Sequence, residues 1–206
     1  MPKINSLILD DQFIDFFSYN EIMYDSPPDM HPEALRFFRE HFRDIKKLSG
    51  KLKVPCPYLG LAPQLHLKHP DGSVSVQDAR YYTSKEITTI DNFLILISAE
   101  TYDPEKIVGI LAHEMRHIWQ ETYLAINQDP AAGFIESLTH PAEIDADGYA
   151  IWYLASEQKL TLEAAAAILC PEEKMSHAAA YDLRLSCAKK LKKEHSFWGK
   201  IINWLC

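Results

Sequence analysis

The feature that most restricts the fold of this chain is a change near residue 102 from a strand-like to a helical pattern of hydrophobic residues. Residues 51–98 are rich in β-branched and aromatic side chains, and the turn sequence HPDGS divides them into two segments. Beyond residue 102 the hydrophobic patterns are helical almost to the end of the sequence. This order predicts an α+β protein, in which a small antiparallel sheet precedes a helical C-terminal half.

The helical patterns are well marked. The first covers residues 31–50, where Pro32 suits a first turn and Gly50 suits the end of a helix. The next begins at Asp103 as N-cap and should run to about Ile126. Further helices are predicted in the segments PAEIDADGYAIWYLASE, TLEAAAAILC and EKMSHAAAYDLRLSCAKKLKK.

Length and composition indicate a single folded domain. The 206 residues are 47% hydrophobic and 11% aromatic, which is enough for a buried core. Within this domain we expect an N-terminal helical flank (about 1–50), a central core (about 51–157) and a helical C-terminal part (about 158–206). The net charge of -8 argues against a nucleic-acid partner, because binding to phosphates requires clustered Lys and Arg.

Neither a secretory signal nor a membrane span is predicted. Acidic residues interrupt the N-terminal sequence MPKINSLILDDQFIDFF, and no apolar run approaches the roughly 18 residues of a spanning helix. The four cysteines are scattered and form no CxxC pair. We therefore expect a soluble cytoplasmic protein. The basic and aromatic tail AKKLKKEHSFWGKIINWLC is expected to be a last helix folded onto the core rather than a membrane-surface segment.

Two histidines stand four residues apart in the segment ILAHEMRHIWQE, residues 110–121. On a helix, His113 and His117 would share one face with their Cβ atoms about 5–6 Å apart, close enough to bind one Zn²⁺. Glu114 would then lie beside the open position of the metal, where a carboxylate can take a proton from water and pass it to a leaving amine. The alternative is an ordinary helix with two polar histidines.

A catalytic zinc site usually has three protein ligands, so the motif requires a third ligand elsewhere. Glu143 lies at the start of the next predicted helix and supplies a candidate. Asp147, one turn beyond it on the same face, could receive the second ring N–H of a ligating histidine. The alternative for both carboxylates is a solvated, acidic helix start.

The combination of HEMRH with the downstream pattern E-x-x-A-D resembles the gluzincin metallopeptidases. The compact layout is similar to the minimal zincin cores of the ImmA/IrrE-like and HtpX-like peptidases, over about residues 75–155. The resemblance implies a zincin-like fold and a zinc metallopeptidase that acts on peptide or protein substrates. It also implies specific roles: zinc ligands His113, His117 and Glu143, general base Glu114, and Asp147 as the partner of a ligating histidine.

The sequence departs from these families at several points. ImmA/IrrE-like proteins often carry Asn at the position of Asp147 and Gly at the position of Arg116. The HtpX-like proteins have membrane-spanning helices that this sequence does not predict. The resemblance therefore holds at the level of the superfamily.

A rival function is a non-enzymatic, zinc-stabilised module that binds a protein partner. A structural zinc site is usually closed by a fourth protein ligand, such as His140 or His177. The presence of Glu114 favours the enzyme, since a purely structural site has no use for it. A helical protein without any metal is the third alternative.

Further expectations concern the neighbouring residues. The strand NFLILIS either pairs with an extended substrate or is an ordinary core strand. Gly148 indicates either a close approach between helices or simple tolerance of glycine. Arg116 and Gln120 are expected on the surface. The candidates for an oxyanion donor, among which no spacing rule selects, are His140, Tyr149, His177 and Tyr181.

Overall fold

The computed structural model describes residues 5–9, 12–25, 30–68, 72, 74–124, 139–171 and 177–205. The strands in this part of the chain are β1 (Asn5–Leu9), β2 (Gln12–Phe17), β3 (Tyr58–Ala62), β4 (His66–Lys68), β5 (Val74–Val76), β6 (Ala79–Tyr82) and β7 (Leu94–Ser98). The helices are α1 (Tyr19–Met23), α2 (Pro32–Leu52), α3 (Ile107–Leu124), α4 (Pro141–Gln158), α5 (Leu162–Leu169) and α6 (Ala178–Leu205). The α+β class predicted from the sequence is confirmed.

The main sheet has five strands in the order β1-β2-β3-β7-β6, and β4 and β5 form a separate antiparallel pair. The prediction of an antiparallel sheet is wrong at one position, because β3 and β7 run parallel. A parallel pair requires a long crossover, and here the crossover contains β4, β5 and β6. Every residue of β7 is buried, and β7 lies between β3 and β6. It is therefore a core strand, and the edge strand on this side is β6.

The expectation of a helical N-terminal flank is wrong for its first part. β1 and β2 form a hairpin that extends the main sheet, with β2 paired to β3. In β2, Phe16 and Phe17 are both buried but belong to different hydrophobic clusters, on opposite faces of the sheet. Burial on both faces explains why this segment forms a strand.

Helix α2 confirms the predicted helix but passes through Gly50 and ends at Leu52. Leu52 is 7% exposed and packs in the main core, so the extra turn buries apolar surface. The chain then leaves the helix at Lys53, whose φ of 56° provides the left-handed cap.

Helix α3 begins at Ile107, later than predicted, because residues 104–106 form a turn. In that turn the Asp103 side chain accepts a hydrogen bond from the Glu105 backbone at 2.8 Å. The predicted end of this helix near Ile126 lies outside the described residues. Helix α4 begins at Pro141 as predicted, with the His140 side chain accepting the Ala142 N–H as N-cap.

Helix α4 lies between α3 and α6, and this arrangement positions the site described below. A Cβ atom at Gly148 of α4 would lie 2.6 Å from the Cys187 Sγ of α6, so the glycine marks a close approach between two helices. The Trp152 and His195 rings stack with their centroids 4.1 Å apart, so α6 packs on α4 as far as His195. The side chains of the predicted tail beyond His195 lie outside the described residues. Within the described residues no helix has the length and apolar character required to cross a bilayer.

Candidate metal centre

Helices α3 and α4 bring the three predicted ligands together. The candidate ligand atoms of His113, His117 and Glu143 all lie within 4.8 Å of one another. The Nε2 atoms of His113 and His117 are 2.9 Å apart, and each is 3.5 Å from a carboxylate oxygen of Glu143. The helical spacing of the two histidines accounts for the first distance, and the packing of α4 on α3 accounts for the other two.

The Nδ1 atom of His113 is paired with Asp147. The distance from Nδ1 to Asp147 Oδ1 is 2.8 Å, and the guanidinium of Arg184 on α6 donates from Nε to the other oxygen, Oδ2. Arg184 is 3% exposed, so its charge is buried, whereas the Asp147 side chain is partly buried. Asp147 therefore contacts His113, as predicted, and is itself paired with Arg184 from a third helix, α6.

These charges shift the pKa values of the group. Burial opposes protonation of His113, but the charge and hydrogen bond of Asp147, together with Glu114 and Glu143, raise its pKa to about 10. Burial acts to raise the pKa of Asp147, yet the charges and hydrogen bonds of His113 and Arg184 lower it. The pKa of Glu143 is also lowered, because His117 and His113 outweigh burial. The cluster therefore favours the ionised forms of Asp147 and Glu143 and a positive charge on His113.

The Nδ1 atom of His117 faces Gln120 Oε1 at 2.8 Å. The amide nitrogen of Gln120 donates to the Ala142 carbonyl at 3.0 Å and to Asp145 Oδ2 at 2.9 Å. Gln120 is 2% exposed, so the prediction that it lies on the surface is wrong. It lies one helical turn after His117, on the same side of α3.

Arg116 was also expected on the surface, and its side chain is 14% exposed. Its Nε and a terminal nitrogen bind the two oxygens of Asp145 at 2.7 and 3.0 Å. The guanidinium carbon lies 3.9 Å from the centroid of the Trp119 ring. Arg116 therefore bridges α3 to α4 instead of extending into water.

Glu114 is 7% exposed and does not belong to the group of candidate ligands. Its Oε2 accepts a hydrogen bond from the backbone N–H of Tyr81 in the edge strand β6, at 2.8 Å. The Tyr81 ring stacks on the His117 ring, with centroids 5.7 Å apart. These two contacts of Tyr81 hold the edge strand β6 against Glu114 and His117.

The chemistry of this group suits a cation. Asp147 and Gln120 place hydrogen-bond acceptors at both Nδ1 atoms, so these atoms carry the protons and the Nε2 lone pairs converge with the Glu143 carboxylate. Two imidazole nitrogens and one carboxylate are a donor set that Zn²⁺ prefers. In the metal-free chain, the additional proton that His113 binds at its raised pKa can lie between the two Nε2 atoms.

The structure brings together His113, His117, Glu143 and Asp147 as the sequence predicted, with Glu114 beside them. Their roles as ligands, base and support stay predictions. The sequence did not predict the contacts that Gln120, Arg184 and Tyr81 make with these residues. The helical spacing from His117 could have pointed to Gln120, whereas no local signal marks Tyr81 or Arg184.

The four residues considered as oxyanion donors have other contacts. His140 caps α4, Tyr149 lies near the Arg116 guanidinium, and Tyr181 belongs to a cluster of α4, α5 and α6 residues. His177 is exposed just before α6. The group of candidate ligands found among the described residues contains neither His140 nor His177.

Comparisons of the chain with protein-family models, with curated proteins and with solved structures find no match.

Proposed function

We propose that this protein is a zinc-dependent hydrolase that cleaves peptide bonds, with a gluzincin-type site on a zincin-like fold. One observation carries the proposal: three candidate ligand atoms from His113, His117 and Glu143 converge, and a second carboxylate, that of Glu114, lies on the helix that carries the two histidines. Glu114 also ties α3 to β6 through the Tyr81 N–H, but a purely structural metal site does not itself require a further carboxylate beside its ligands.

The proposed roles follow from the contacts of each residue. His113, His117 and Glu143 would hold Zn²⁺, with Asp147 and Gln120 orienting the two imidazoles. Zinc in such a site supplies Lewis acidity, which makes a water molecule nucleophilic near neutral pH and polarises a carbonyl group.

Glu114 would act as the proton carrier. Its Oε2 is held by the Tyr81 N–H, so the carboxylate has a fixed direction. Its charge also contributes to the raised pKa of His113, which places it within electrostatic range of the ligands. In the proposed reaction it takes a proton from the attacking water and delivers it to the nitrogen of the leaving amine.

An extended peptide would lie along β6. Peptide groups alternate in direction along a strand, and Asp78 directs its carbonyl towards β7. Ala79 and Tyr81 therefore direct their backbone groups to the other side, where Tyr81 meets Glu114. A substrate strand paired at this edge, through backbone groups other than the Tyr81 N–H, would pass close to the proposed base. The strand first considered for this role, NFLILIS, is the internal β7.

The rival function is a zinc-stabilised module that binds a protein partner without catalysis. It requires a closed metal site, and the described residues contribute three candidate ligands. The same experiment separates the two functions: the purified chain is loaded with zinc and incubated with a mixture of unstructured peptides, and products are read by mass spectrometry. Cleavage that chelation abolishes supports the hydrolase. Stoichiometric zinc without cleavage of any peptide supports the binding module.

A further inference from the structure

The side chain of Gln120 is almost fully enclosed. It is 2% exposed and the adjoining His117 is 1% exposed, so water cannot substitute for a missing hydrogen bond at either group. Each polar atom of the amide must therefore match the atom it faces.

The contacts of the amide nitrogen fix which way Gln120 is turned. Both of its neighbours, the Ala142 carbonyl and Asp145 Oδ2, are acceptors, so only the NH₂ group satisfies them. The amide oxygen must then face His117 Nδ1, at 2.8 Å. An acceptor at Nδ1 selects the tautomer with its proton on Nδ1 and leaves the Nε2 lone pair directed at His113 and Glu143.

Asp145 is itself held in place. Arg116 binds both of its oxygens in a two-pronged arrangement, and Trp119 packs against the Arg116 guanidinium. Because Arg116 and Gln120 belong to α3 and Asp145 to α4, these contacts also tie together the two helices that carry the candidate ligands. We call Arg116, Asp145 and Gln120 the amide clamp.

We propose that Gln120 is a positioning residue that sets the tautomer and ring orientation of His117, and that Asp145, held by Arg116, acts through it. The two histidines are thereby supported differently. His113 faces a carboxylate with a charged partner, whereas His117 faces a neutral amide whose direction the clamp determines. This inference rests on the proposed metal site but does not depend on hydrolysis.

The tautomer of His117 is the direct test. In the ¹⁵N-labelled, metal-free chain, long-range ¹H–¹⁵N correlation spectra should show His117 protonated at Nδ1, and zinc should leave that proton in place. Gln120→Met, which keeps the volume but removes the amide, should shift His117 to a mixture containing the Nε2-protonated form. Gln158→Met, at an exposed glutamine of α4, should leave the spectrum unchanged. A wild-type His117 protonated at Nε2 overturns the proposal, even if Gln120→Met does not fold.

Zinc affinity tests the clamp as a unit. Competition with a chromophoric chelator should show about 10- to 100-fold weaker zinc binding for Gln120→Met. Asp145→Asn should also weaken binding, but should have much less effect when Gln120 is already Met, because its influence passes through the amide. Equal losses in both backgrounds would mean that Asp145 acts only through its charge, and the clamp would be rejected. Zinc binding without hydrolysis would reject the proposed enzyme and leave this inference standing.

Discussion

The backbone N–H of Tyr81 donates to Glu114 Oε2 at 2.8 Å, so the edge strand of the sheet is bonded directly to the proposed general base. This contact uses a peptide group that an edge strand would otherwise present to another strand. It fixes the Glu114 carboxylate without using a side chain, so nearly any residue at position 81 could supply it. The ring of Tyr81 adds a second constraint by stacking on His117.

Replacing Glu114 by Gln should slow turnover strongly and keep the metal. The amide oxygen of Gln can still accept the Tyr81 N–H, so the fold and the zinc content should be unchanged. Loss of the proton acceptor should slow peptide hydrolysis by about 100- to 10,000-fold. Glu105→Gln, at an exposed residue before α3, is the matched control and should retain full activity. Activity within a few-fold of wild type in Glu114→Gln would contradict the mechanism.

Replacing His117 by Ala should remove the metal. Plasma mass spectrometry of the purified chain should find about one zinc per molecule, and none above background in His117→Ala, because only two of the three ligands remain. His177→Ala, which alters an exposed histidine, should bind zinc like the wild type. If the wild-type chain takes up no zinc after supplementation, HEMRH is an ordinary helical sequence and the peptidase proposal fails.

A buried histidine outside the group of candidate ligands should make the protein sensitive to acid. His41 is 3% exposed and packs against Phe37, and burial lowers its pKa below the ordinary 6.5, although Glu40 acts in the opposite direction. The unfolded chain therefore binds this proton more readily than the folded one. The corresponding stability is complete above about pH 6.5 and is lost as the pH falls towards the lowered pKa.

Urea unfolding at several pH values between about 7 and 5 measures this effect. As the pH is lowered, the free energy of unfolding of the wild type should decrease. It should decrease less steeply for His41→Phe, which keeps an aromatic ring but cannot take up the proton. His177→Phe should have the slope of the wild type. Identical slopes for wild type and His41→Phe would show that His41 is not the group responsible.

Adding one methyl group at Gly148 should destabilise the protein. The new Cβ would lie 2.6 Å from Cys187 Sγ and 2.7 Å from Cys187 Cβ, so α4 and α6 would have to separate. Overpacking of this kind costs about 1–3 kcal/mol. Gly50→Ala is the opposite case, because no atom lies within 4 Å and α2 is helical there; it should gain about 0.5–1 kcal/mol. Thermal unfolding of both variants is the measurement, and a stabilised Gly148→Ala would disprove the close approach.

The grouping of the candidate ligands could be predicted from the sequence because their geometry is mainly local. His113 and His117 depend only on one helix, and Glu143 and Asp147 depend on one further helix being packed beside it. Gln120 follows the same helical spacing, but its polar side chain predicts exposure to solvent. Burial of a polar group depends on its partners, and these come from α4.

Features that depend on distant segments could not be predicted. The parallel pairing of β3 with β7 is decided by how the intervening chain crosses over, which leaves no periodic mark in either strand. The β1-β2 hairpin is stabilised by clusters on both faces, and its partners lie more than forty residues away in β3. Arg184 carries no motif at all; only the docking of α6 on α4 brings it to Asp147.

The reach of Arg184 across to Asp147 has a consequence for the order of events during synthesis. The histidines, Glu143 and Asp147 leave the ribosome well before α6 does, and a chain of that length already contains every candidate ligand. Until α6 docks, Asp147 has no guanidinium against it and is free to turn away from His113. If the proposed site binds zinc, the metal should therefore exchange faster before α6 docks on α4 than after it.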